Sequence, residues 1–81
     1  MESGNEGANF KKETVSKLMA MYFKDKKTKM SGDAVLAMRE LLRVFVTEAA
    51  VRAARQAQSE NSGLVDIDHF EKILPQLMLD F

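Results

Sequence analysis

Between Ser31 and Glu60 the chain runs without a proline, and its only glycine there, Gly32, stands at the very start. Absence of breakers over so long a stretch predicts one continuous helix of about 28 residues. Ser31-Gly32-Asp33 supplies its N-cap chemistry, because short side-chain oxygens accept from the first backbone N–H groups of a helix. At 1.5 Å per residue such a rod is roughly 42 Å long. A compact globule of 81 residues is only about 30 Å across. At 100° per residue Val35, Met38, Leu42, Phe45, Val46, Ala49, Ala50 and Ala53 share one broad stripe, the expected core-facing side. Leu41, Val44 and Val51 fall outside it, beside Glu40, Thr47 and Glu48. A rod longer than its domain, apolar on part of its nominal solvent face, predicts a second burying surface.

The flanks read as two short helices. Val15, Leu18, Met19 and Tyr22 follow the i, i+3, i+4, i+7 rule, which predicts a first helix of about 13 residues from Phe10 with Asn9 as N-cap. Residues 1–9, MESGNEGAN, lack periodicity and read as a flexible tail, leaving 10–81 as a single domain. Residues 24–30, KDKKTKM, read as an exposed loop. Asn61-Ser62-Gly63 breaks the long helix, Leu64-Val65 suits a very short extended piece, and Asp66 can cap a third helix with Ile67, Phe70, Leu74 and Leu77 as its apolar positions. Pro75 lacks an N–H and clashes with the preceding turn, so that helix is expected to end or kink near Ile73–Leu74. The remaining QLMLDF would form a docked apolar tail.

The fold class is therefore all-α: short helix, long central helix, short helix. A chain this short buries only about 60–65% of its unfolded surface, and without cysteine it has neither a disulfide nor a thiolate metal site to compensate. Two short helices cannot cover both sides of the rod, so an obligate helical partner is expected. No apolar run exceeds the six residues Leu18 to Phe23, too short for a membrane helix. The N-terminus has no basic-then-apolar block of a secretory signal. Together these point to a reducing intracellular compartment.

Catalytic chemistry finds little support. The chain holds one histidine, no cysteine and no glycine-rich phosphate loop, so no enzyme, cofactor or metal site is expected. His69, alone near a helix start, reads as a surface or cap residue. Asp66-x-Asp68 downstream of Gly63 does not make a calcium loop. With Gly63 at the sixth position, Gln58, Glu60 and Ser62 occupy positions one, three and five, and His69 falls where the bidentate glutamate belongs. The acids instead suit the first turn of a helix, where the dipole favours negative charge.

Charge is where the chain is informative. The net charge is zero, but residues 11–55 hold eleven Lys and Arg against five acids, while residues 56–81 hold Lys72 against five acids. Lys24, Lys26, Lys27 and Lys29 crowd one loop, and Lys11 and Lys12 open the first helix. Such clusters neutralise phosphates with release of counterions and without regard to sequence. No aromatics interleave with the lysines, which favours a duplex backbone over stacked single strands.

The helix order and the need for a partner resemble the histone fold, in which two chains clasp head to tail. The strings FKDKKTKMSGDA (23–34), LLRVFVTEAAVRAARQAQ (41–58) and VDIDHFEKILPQLMLDF (65–81) are similar to those of vertebrate members of the centromere protein X family. That resemblance implies a heterodimer with centromere protein S and a dimer of such dimers. It also implies a nucleosome-like assembly with centromere proteins T and W at the inner kinetochore, and binding to the translocase of the Fanconi anaemia complex in repair of stalled forks. It implies double-stranded DNA as ligand, the nucleus as location, the centromere and kinetochore of the chromosome as site, and no membrane.

Residue by residue, the resemblance places Lys24, Lys26, Lys27 and Lys29 in the DNA-facing first loop and Lys11 and Lys12 at a second phosphate site. Met30 and Val65 would bridge to the partner's loops, with Leu42, Phe45, Val46, Ala49, Ala53 and Phe70 at the partner interface. Where histone folds often carry an arginine before the second-loop strand, this chain has Leu64, so a clip to an acid of the third helix is not expected. The alternative reading is a purely structural subunit whose partner makes the DNA contacts.

Overall fold

A computed structural model describes residues 9–25 and 27–81. Residues 1–8 of the expected 1–9 tail, and Lys26, lie outside the described residues. Among these residues the secondary structure is three α-helices: α1 (Lys12–Ala20), α2 (Gly32–Ser59) and α3 (Ile67–Asp80). This is the short, long, short order of the histone fold. Among the described residues no helix is long and apolar enough to cross a membrane. The chain divides into two compact units, the first ending at Val44 and the second starting at Phe45, with α2 contributing to both.

In the first unit, α1 has 9 residues rather than about 13 and starts from Lys11, which makes no side-chain cap, so Asn9 is not the cap. Its end is shortened by a change of winding. Met21, Tyr22 and Phe23 donate their N–H groups three residues back, to Leu18, Met19 and Ala20. These tight bonds rotate the last apolar positions off the α-helical stripe, and Met21 and Tyr22 end exposed. Val15 and Val35 are the buried apolar side chains of this unit. Ser31 caps α2 as expected, its Oγ accepting from the Ala34 N–H at 3.1 Å.

The second unit is an antiparallel helical hairpin. Phe45, Arg52 and Glu60, in rising order on the α2 side, meet Phe81, Asp80 and Lys72, in falling order on the α3 side. α2 stops through an asparagine, not a glycine. Asn61 takes φ 56°, while Ser62 N–H reaches back to Ala57 O at 2.9 Å and Asn61 N–H to Gln58 O at 3.0 Å. Both bonds of a Schellman closure are thus made.

α3 departs from expectation in two ways. It runs through Pro75 to Asp80, so the last residues are helix and not a tail. One missing N–H is outweighed by what lies beyond it: Leu77 is fully buried, Phe81 meets the Phe45 ring edge-on at 5.2 Å, and Arg52 Nη2 holds Asp80 at 2.6 Å. The buried face is also different. His69, Ile73 and Leu77, four residues apart, are buried, whereas Ile67, Phe70 and Leu74 are exposed. Each set is a stripe at helical spacing. They lie about 100° apart around the helix, and the unit's own core covers one of them.

Candidate functional site

The basic loop has a definite local structure. Asp25 Oδ1 accepts three hydrogen bonds, from the backbone N–H of Lys27 (2.8 Å), the backbone N–H of Thr28 (2.8 Å) and the Thr28 hydroxyl (3.0 Å). A short carboxylate that ties down the backbone two and three residues ahead closes an Asx turn. These bonds, Thr28 first, hold the Asp25 carboxyl below the ordinary aspartate range, because they favour the charged form. Lys24, Lys27 and Lys29 are exposed around the turn, as are Lys11 and Lys12 at the start of α1. None of these five ammonium groups has an ion-pair partner among the described residues. Other basic residues are paired: Lys17 with Glu13, Arg43 with Glu40, Arg52 with Glu48 and Asp80, Lys72 with Glu60. These five lysines can therefore meet an external anion without first breaking an internal ion pair.

The residues expected at a partner surface differ in what they present. Val46, Val65 and Phe70 are exposed, and Met30, Leu42, Phe45 and Ala49 are half-buried. Ala53 has no exposed surface in the single chain. Phe45 is engaged by Phe81 within the second unit. Leu41, Val44 and Val51, outside the expected core stripe, are exposed. Sequence reasoning missed Ile67, Leu74 and Met78 as surface residues; with Phe70 they make a continuous exposed apolar stripe on α3. Their spacing of three, four and four residues was visible, but a helical period alone cannot say which of two apolar stripes the chain covers itself.

His69 is a cap residue, as expected, but it is not at the surface. Only 3% of it is exposed, and its Nδ1 accepts the Asp66 N–H at 2.8 Å in a capping box. Glu60, Asp68 and His69 bring three donor atoms within 4.8 Å of one another, which on distance alone could hold a cation. The Nδ1 lone pair, however, is committed to the Asp66 N–H. The Lys72 ammonium stands 2.7 Å from Glu60 and 4.0 Å from Asp68, so a cation already balances these acids. Glu60 is held below the ordinary glutamate range by Gln56 and then Lys72.

Beside this cluster Arg52, Arg55, Gln56, Ser59, Lys72, Ile73 and Gln76 line an open groove of about 380 Å³. Several of its polar groups are already engaged: Gln56 donates to Glu60, Gln76 to Asp80, and Ser59 Oγ to the Gln56 carbonyl. Unspent capacity is concentrated in the five unpaired lysines of the first unit and in the apolar stripe of α3.

A family model described as CENP-X, CENP-S associating centromere protein X, matches residues 12–81. Centromere protein X of Homo sapiens is 59% identical over 81 residues, covering both chains completely. The Gallus gallus protein of the same name is 61% identical over 72 residues, 89% of this chain and 90% of that one. A more distant match, Protein MHF2 homolog of Arabidopsis thaliana, is 41% identical over 58 residues, 72% of this chain and 56% of that protein. With the model spanning all three helices and a relative aligned over its whole length, the chain belongs to the centromere protein X family.

Proposed function

We propose that this chain is a non-enzymatic histone-fold subunit that pairs obligately with centromere protein S and contributes phosphate contacts to duplex DNA. The observation that carries the reading is the coexistence of a thin core with uncovered apolar surface. Six apolar side chains are buried among the described residues, while Ile67, Phe70, Leu74 and Met78 stand in water on one stripe. A helix with two apolar stripes, one of them covered, is half of an interface. The family description, CENP-S associating, supplies the partner's identity. On this reading residues 10–81 act as one histone-fold domain, with Met30, Leu42, Phe45, Val46, Ala49, Val65 and Phe70 at or near the partner.

Lys11, Lys12, Lys24, Lys26, Lys27 and Lys29 are the DNA-facing residues. The wider roles are assembly of a tetramer, alone or with centromere proteins T and W at the inner kinetochore, and service to the Fanconi anaemia translocase at damaged forks. They place the protein in the nucleus, on the chromosome.

The test is a mobility shift on duplex DNA with the centromere protein S heterodimer over a salt series, wild type against Lys24, Lys26, Lys27 and Lys29 changed to glutamate. Size-exclusion chromatography confirms that both dimers are intact. The salt slope is expected to fall by about 0.9 for each phosphate that the variant no longer neutralises. If affinity and slope do not move, the chain is a structural subunit and its partner holds the DNA.

A further inference from the structure

The one acid in the lysine loop looks, by charge alone, like a defect in a phosphate-binding surface. We infer that Asp25 is instead a positioning residue, whose carboxylate ties the loop into the turn that presents Lys24, Lys27 and Lys29 together. The inference rests on the reading that this loop contacts DNA, and it adds a residue that charge reasoning would count on the opposite side.

The geometry is specific. One oxygen, Oδ1, takes all three bonds, two from consecutive backbone N–H groups and one from the Thr28 hydroxyl. The two backbone bonds fix the positions of Lys27 and Thr28 relative to Asp25, and Thr28 leads directly to Lys29. Backbone N–H groups of Lys27 and Thr28 that are already held by Asp25 do not lose that freedom on binding. Against this stands the repulsion of one exposed carboxylate, weak in water and screened by salt. The nearby cations outnumber it, and its own charge is partly spent on the three donors.

Asparagine and alanine separate the two effects. Asp25→Asn removes the charge and keeps an Oδ1 that can accept from the same N–H groups, since Asn also closes Asx turns. Asp25→Ala removes both. If charge alone mattered, both variants would bind duplex DNA more tightly than wild type.

The experiment uses the full chain in its heterodimer with centromere protein S, and a 20–30 base-pair duplex as probe. Asp25→Ala is expected to bind about fivefold more weakly than Asp25→Asn, with Asp25→Asn equal to or tighter than wild type. Amide hydrogen exchange on the DNA-free heterodimer is the companion measurement. Asp25→Ala should speed exchange at the Lys27 and Thr28 amides, and Asp25→Asn should leave them protected. Equal affinity of the two variants, or unaltered exchange in Asp25→Ala, overturns the positioning role. A third arm, Lys24, Lys27 and Lys29 to glutamate, keeps the premises apart. If it weakens binding while the Asp25 pair does not differ, the DNA reading stands and the positioning role fails. If it changes nothing, the DNA reading fails and takes the positioning role with it, even where the exchange data show an Asp25-dependent turn.

Discussion

Asp66 and His69 cap each other at the start of α3. The Asp66 N–H donates to His69 Nδ1 at 2.8 Å, while the Asp66 side chain takes up first-turn N–H groups of the helix. Because Nδ1 is an acceptor here, the ring's other nitrogen is the one facing Glu60 Oε1, 3.5 Å away. The lone histidine of the chain thus closes a helix end inside the core of the second unit.

Replacing it should show which property matters. His69→Ala removes one half of the capping box and leaves space at a buried position, with an expected cost of about 2–3 kcal/mol. Glutamine is a natural capping-box residue at this position, so His69→Gln should recover part of that loss. Denaturant melts of the heterodimer give both values, and equal destabilisation by the two would exclude a capping contribution.

Continuation of α3 through Pro75 makes a sharp prediction for residues that a sequence reading leaves in a tail. Leu77→Ala should cost about 2–5 kcal/mol, because the side chain is fully buried. Leu79→Ala, at a side chain 80% exposed, should change stability by no more than about 0.5 kcal/mol. Pro75→Ala should stabilise, since it restores a helical N–H and removes a clash. Thermal unfolding of the three variants decides the matter, and comparable small effects at Leu77 and Leu79 would show that the segment is not docked.

Acid should loosen the second unit. Asp80 is held below the ordinary aspartate range by Arg52 and then Gln76, and Glu60 below the glutamate range by Gln56 and Lys72. A carboxyl whose folded pKa is depressed gives stability that is present above its unfolded pKa and lost as pH falls through the folded one. The loss should therefore begin below about pH 4–5. Both groups are well solvated, so each effect is small. Asp80→Asn should flatten the acid limb of a melting-temperature profile and lower the neutral plateau slightly; an unchanged limb would show that the Arg52 pair contributes nothing.

The exposed stripe of α3 can be tested directly. Leu74→Asp puts a charge on a surface that would be buried by a partner, and should abolish co-purification with centromere protein S. Because Leu74 is 39% exposed in the single chain, any part of its burial that belongs to this chain's own core will appear as reduced helicity of the isolated variant by circular dichroism. Retained pairing would place the partner elsewhere.

The helix order, the long α2, its Ser31 cap and the break at Asn61 were legible because each rests on chemistry within four or five residues. The lysine loop was legible for the same reason, as a local excess of one charge. What was not legible were the outcomes of competition. Pro75 is a helix breaker taken alone, and it yields to the burial of Leu77 and the interactions of Asp80 and Phe81. Tyr22 continues an apolar period, yet tight three-residue bonds take it out of the helix.

By itself, then, the sequence determined the order of the helices and the bounds of the long one, that the chain has more apolar surface than one small core can use, and where its positive charge is concentrated. Only the tertiary structure decided which apolar stripe of α3 is spent internally, that His69 is enclosed, and that the segment beyond Pro75 stays helical. The reason is physical. Periodicity and charge are properties of the chain taken a turn at a time, whereas burial and hydrogen-bond satisfaction depend on which distant or folded-back groups compete for the same space.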